Sequence, residues 1–131
     1  MTYIGTTINE SATIVMKAKA NIQNPQGLGL VVNAGELALP AASGAVAMGV
    51  ALFTMDDVKA GDDVTIQIKD IGKAIAGGVI AAGDPITFNT DGKAIKAETA
   101  GVFIFGYALS SAAAAGNRVT IQITKSGFVT A

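Results

Sequence analysis

Two stretches of the chain alternate strictly between apolar and polar residues. Val64, Ile66 and Ile68 are separated by Thr65, Gln67 and Lys69, and Val119, Ile121 and Ile123 are separated in the same way by Thr120, Gln122 and Thr124. A period of two belongs to an extended strand with one buried and one wet face, so these six aliphatic residues are predicted to face the core of an antiparallel sheet. Each stretch opens a longer repeat: Ala60-Gly-Asp-Asp-Val-Thr-Ile-Gln-Ile-Lys-Asp-Ile-Gly72 returns 55 residues later as Ala115-Gly-Asn-Arg-Val-Thr-Ile-Gln-Ile-Thr-Lys-Ser-Gly127. A shorter copy, Ala82-Gly-Asp-Pro-Ile-Thr-Phe88, lies between them. Gly61, Gly83 and Gly116 thus precede strands as turn residues, where positive φ carries no steric cost. Asp91-Gly92 is a primed-turn signal and predicts a hairpin with Gly92 at its tip.

A second device precedes the outer copies, Gly49-Val-Ala-Leu-Phe53 in one case and Gly106-Tyr-Ala-Leu109 in the other. The resulting unit is strand, short connection, glycine turn, strand, which sets two halves in loosely symmetric positions. Phe103, Phe105 and Tyr107 occupy alternate positions and predict one aromatic strand face, in the core or at a subunit contact. Thr54 to Val58, capped by Thr54, and Ser110 to Ala115 each suggest a single helical turn. The start of the chain lacks the repeat and is set apart: residues 1–40 as an irregular N-terminal arm or peripheral hairpin, residues 41–131 as the β-domain. The expected fold class is therefore all-β, a small antiparallel barrel or sandwich.

Composition narrows the chemistry. The chain has no Cys and no His, which removes the thiolate nucleophile, the disulfide framework, the usual general base and the commonest metal ligands. Lys and Arg number 9 against 10 Asp and Glu, so no basic field is available for nucleic acid or an anionic membrane. Apolar stretches are interrupted by Gly, Pro and Ser and fall short of a spanning helix, and the N-terminus does not read as a secretory signal. Asp56 with Asp57 and Asp62 with Asp63 are the candidate cation sites. Adjacent residues on a strand point to opposite faces, however, and Asn117 and Arg118 replace Asp62 and Asp63 in the second copy, so a turn-forming role accounts for both. Gly27-Leu28-Gly29 and Ala76-Gly77-Gly78 lack the Lys-Ser/Thr pairing and the long helix of a phosphate loop. No catalytic residue, cofactor or metal is predicted.

From about Gly44 to Gly127 the chain resembles the phage capsid cement, or head decoration, proteins. The resemblance rests on the order of five elements: Gly49-Val-Ala-Leu, Ala60-Gly-Asp-Asp-Val-Thr-Ile, Ala82-Gly-Asp-Pro-Ile-Thr-Phe with Asp91-Gly92-Lys93, Gly106-Tyr-Ala-Leu109, and Ala115-Gly-Asn-Arg-Val-Thr-Ile. It implies a non-enzymatic protein, made in the host cytoplasm, that binds the major capsid protein lattice on the outer surface of the virion and stabilises it. It also implies a homo-oligomer, with a trimer favoured. The alternatives are a virion fibre or structural module, and a ligand-binding β-domain marked by an exposed aromatic cleft.

Overall fold

The computed structural model describes residues 11–130. They form two five-stranded sheets and, among the described residues, no α-helix. The first sheet contains β1 (Thr13–Lys17), β2 (Gly29–Asn33), β3 (Glu36–Ala38), β4 (Gly49–Ala51) and β5 (Asp63–Gln67), in the order β1-β5-β4-β2-β3. The second contains β6 (Asp70–Ile75), β7 (Pro85–Phe88), β8 (Ala94–Lys96), β9 (Gly106–Ala108) and β10 (Arg118–Ile123), in the order β6-β10-β9-β7-β8. All pairings within the two sheets are antiparallel, and the sheets are arranged as a sandwich. Each sheet also curls: a parallel bridge joins Ala18 to Leu37 in one, and Ala76 to Ala94 in the other.

Strand by strand, the second sheet repeats the first. Gly61 N donates to Ala18 O and Gly116 N to Ala76 O, both at 2.8 Å, with φ of 89° and 93° at the two glycines. Lys19 N bonds Leu37 O as Gly77 N bonds Ala94 O, and Met48 N bonds Leu30 O as Phe105 N bonds Ile86 O. Gly49 and Gly106 share one necessity. A Cβ on either would lie 2.5 Å from Gln67 O or 2.2 Å from Gln122 O, so only glycine allows the neighbouring strand this close.

The turn before β7 also has its counterpart. Gly27 N donates to Ala51 O and Gly83 N to Ala108 O, and Leu28 N bonds Pro25 O as Asp84 N bonds Ala81 O. Ala82 to Phe88 is thus not a third unit but the second half's version of the segment beginning at Pro25. The stretch set apart as residues 1–40 supplies β1, β2 and β3 of the first sheet, and the boundary between the sheets falls between β5 and β6. Residues 1–10 of that arm lie outside the described residues.

Val64, Ile66, Val119 and Ile121 are at most 1% exposed and Ile123 is 8% exposed, all within apolar clusters. Ile68 departs from this set. It lies just beyond β5, half-buried against the edge of the first cluster, because the chain leaves the strand at that point. Three local expectations change as well. Phe103 and Phe105 are buried but Tyr107 points outward, because Phe105 O accepts from both Thr124 N and Lys125 N and the alternation slips by one residue there. Thr54 to Val58 and Ser110 to Ala115 are turns and bridges, too short to sustain helical bonding. The Asp91-Gly92 hairpin has a longer loop, in which only Gly92 takes positive φ and Asn89 Oδ1 accepts from Asp91 N and Lys93 N. The two-residue primed turn belongs instead to Ala34-Gly35, with φ of 53° and 83°, between β2 and β3.

The halves are joined asymmetrically. Gly29 and Val50 lie opposite each other on the face of the first sheet that points away from its own cluster. There the Phe88 ring covers Gly29 so closely that an added Cβ would sit 2.3 Å from it, and Val50 and Ala47 complete the second sheet's cluster. Phe88 packs edge-on against Phe105, with centroids 5.0 Å apart. Backbone bonds from Gly29 N to Gly92 O, Gly44 N to Phe88 O and Ile75 N to Gly27 O reinforce the junction.

Two stability outcomes follow from this packing. Gly106→Ala and Gly49→Ala should each cost about 1–3 kcal/mol in chemical denaturation through overpacking. Gly78→Ala, which meets nothing within 4 Å, should stay within about 0.5 kcal/mol of the native chain. Thr87, 2% exposed, buries a hydroxyl with no partner where the first half has Val31. Thr87→Val should therefore raise stability by about 1 kcal/mol, and a lower melting temperature would contradict the assignment.

Candidate functional site

The paired carboxylates are held by turns. Asp62 Oδ2 accepts from Lys59 N at 3.0 Å, and Asp84 Oδ2 accepts from Ala81 N at 2.9 Å, the same three-residue return just after Gly61 and Gly83. Asp57 Oδ1 accepts from Asn24 N, which ties the loop before β2 to the loop before β5. Asp63 pairs with Lys17 across β1 and β5 at 2.7 Å. The bond from Asp63, and then its charge, raises the Lys17 pKa above its ordinary value, on a fully exposed surface where solvent screens the pair. Among the described residues no group of three or more Asp or Glu could hold a metal ion. Lys125 shows the opposite effect: burial lowers its pKa, and its Nζ lies 3.8 Å from Met48 Sδ.

A groove follows the junction of the halves. One part, of about 400 Å³, is lined by Asn24, Gln26, Phe53, Lys93 and Arg118 among others. It continues past Asn24, Leu28 and Lys93 into a wider part of about 770 Å³ that reaches Asn21 and Asp91. The Arg118 guanidinium lies 4.3 Å from the centre of the Phe53 ring. That stacking occupies the one aromatic face in the groove and leaves no open platform for a sugar or a base. Gln26 Nε2 is likewise engaged, donating to Met55 O. Besides Arg118, the ionisable side chains along the groove are Lys93 and, in its wider part, Asp91.

A further surface with several exposed apolar side chains is the outer face of the second sheet. Ile71, Gln122, Tyr107 and Pro85 form one row across β6, β10, β9 and β7. Lys73 and Thr120 form the next, with Leu109 N bonding Thr120 O. Ile71 is 57% exposed, Leu109 49% and Tyr107 37%, a cluster of large apolar side chains on a wet sheet face. The sequence marked Tyr107 as aromatic but put it on one face with Phe103 and Phe105, which are buried on the other side, and no alternation singles out Ile71 or Leu109. Gly61, Gly83, Gly92 and Gly116 lie in turns with φ between 77° and 93° and contribute shape, not chemistry.

Comparison with known proteins points to a structural protein of the phage virion. The family described as "Phage cement protein" matches residues 6–123. Among solved structures, the head fiber gp8.5 N base in bacteriophage phi29 superposes with a TM-score of 0.63 at 27% identity, covering 88% of this chain and 95% of that one. No curated protein matches significantly.

If the carboxylates serve turns, calcium or a chelator should leave the melting temperature unchanged, whereas Asp84→Ala should cost about 1 kcal/mol by freeing Ala81 N. A calcium-dependent rise in melting temperature that Asp62→Asn abolishes would reverse that assignment.

Proposed function

Because the chain belongs to the phage cement protein family, a family of non-catalytic structural proteins of the phage virion, we propose that it is a base module seated on the outer surface of a phage head, on which a projecting structure stands. The observation that carries this reading is the likeness to a head fibre base, which extends over 95% of that structure and is not confined to one shared sheet. A turn-rich β-domain with a net charge of −1 and a core of light side chains suits a fixed position among many identical surfaces. The proposed partner is the major capsid protein lattice, and the proposed state on the head is a homo-oligomer, with three copies favoured by the family resemblance. Multiple attachment gives the affinity: once one copy is seated, the contacts of its companions are effectively intramolecular.

A second reading, in which the same module clamps neighbouring capsid subunits as cement, is favoured by the family's own description. The two differ in consequence. Cement bridges neighbouring capsid subunits, while a fibre base sits at single sites; each stabilises the head as any binder of the assembled state does, but the bridging contact is the one that must yield before neighbouring subunits separate.

Purified protein mixed with undecorated heads should sediment with them and show ordered density at symmetry-related sites by cryo-electron microscopy. With near-neutral charge, binding should weaken only mildly between low and physiological salt. Density confined to the tail or portal, or no co-sedimentation, would overturn the head-surface reading. Density bridging neighbouring capsid subunits would select cement over fibre base, and density confined to single sites beneath a projection would select fibre base.

A further inference from the structure

The internal repeat makes it possible to ask what covers the second sheet, because the structure shows what covers the first. Tyr107, Leu109, Ile71 and Pro85 occupy the positions that Val50, Leu52, Thr13 and Gly29 hold in the first sheet, as the matched bonds of Leu109 and Leu52 to Thr120 O and Thr65 O and the matched rows establish. In the first sheet the Gly29–Val50 part of this face is covered, with Val50 2% exposed and Phe88 of the second half over Gly29, while Val15 at its β1 edge stays open at 57%. In the second sheet the positions that match the covered part are open: Tyr107 is 37% exposed where Val50 is 2%, and Leu109 and Ile71 beside it are 49% and 57% exposed, with Lys73 in the place of Val15.

The other side of the contact is also half used. Phe88 opposes Ala94 as Val32 opposes Leu37, so Val32 is the first half's counterpart of Phe88. Phe88 is fully buried against the other half, whereas Val32 is 39% exposed. Its hairpin tip, Ala34-Gly35, is open, while the matching tip residue Gly92 packs against Leu28 and Leu39. The chain therefore carries one filled copy of a contact and both unfilled halves of a second.

We infer that the occupant of the outer face of the second sheet is a second copy of this chain, docked head to tail. The Val32 side of its first sheet lies on Pro85, Tyr107, Ile71 and Leu109, repeating between copies the contact made within each. Such an interface is heterologous, so the copies close into a ring if the rotation permits. The repetition is in side-chain packing, not in every backbone bond. Gly29 N donates to Gly92 O inside the chain, but Pro85 has no N–H to offer at the matching point. Where Leu28 and Leu39 receive the Gly92 turn, Asp84 and Lys96 stand 4.0 Å apart, making the contact between copies the more polar of the two. This inference deepens the oligomeric part of the proposed function, and its evidence is the repeat itself.

The native chain contains no cysteine, so any disulfide reports an introduced pair. Val32→Cys and Pro85→Cys proteins, each checked for a native β-sheet circular dichroism spectrum, should form covalent dimers when mixed under mild oxidation and none when oxidised separately. Tyr107→Glu in the otherwise native chain should lower the sedimenting mass to that of a monomer. Disulfide dimers from either single variant alone would show a two-fold interface and overturn the proposal. So would a mixture that forms none, a native chain that sediments as a monomer up to high micromolar concentration, or an oligomer unaffected by Tyr107→Glu. Head binding is scored on the same proteins by co-sedimentation, and a monomer that still binds heads would refute the head-to-tail contact while leaving the head-surface reading intact.

Discussion

The contact of the Phe88 ring with the bare backbone of Gly29 organises the rest of the molecule. It brings the second sheet's cluster onto the outer face of the first sheet, where Val50 and Ala47 finish a core that the second half does not complete from its own residues. The first half has a separate cluster around Leu30, Leu37, Val64 and Ile66. Glycine is required at position 29 for the reason it is required at 49 and 106, close approach, but the neighbour here is an aromatic ring from the other repeat. The seam groove, the stacking of Arg118 on Phe53 and the backbone bonds at Gly27 and Gly44 all lie along this junction.

Much of the fold was legible because strand alternation survives in β5 and β10, where both copies keep Val-Thr-Ile-Gln-Ile. Elsewhere the repeat is preserved in hydrogen bonding but not in sequence. Pro25-Gln26-Gly27-Leu28 and Ala81-Ala82-Gly83-Asp84 make the same turn while sharing only glycine. Leu28 is buried under the other half, and Asp84 faces water, so one position became apolar and the other acidic. For that reason the first strands looked unrelated to the repeat. Ala34-Gly35 is a weak turn signal beside Asp91-Gly92, although it forms the tighter turn. Tyr107 could not be placed from periodicity because the slip at Phe105 depends on the partner strand. The candidate surface was hardly legible at all, since Ile71 on β6 is brought into one row with Tyr107 of β9, across Gln122, only by the sheet's register.

Function here follows from repetition of surfaces. A chain without Cys or His offers little for turnover, and of its carboxylates Asp57, Asp62 and Asp84 hold loops and turns while Asp63 pairs with Lys17. What it does offer is a duplicated module whose internal contact leaves complementary faces at its two ends. The chain belongs to the phage cement protein family and is similar to a head fibre base, and the proposed role on the head rests on both. The apolar outer face of the second sheet is the feature that a solitary domain would have little reason to keep.

The dependence of the second sheet on the first is tested most directly by hydrogen exchange, read amide by amide, on Gly29→Val. The added side chain would displace Phe88 and open the second cluster while leaving the first cluster's residues in place. Amides of Phe105, Ala108 and Thr120 should lose protection by at least tenfold more than those of Ala18, Ile22 and Val58. Equal loss in both halves, or unchanged protection throughout, would contradict the account in which one half's outer face completes the other half's core.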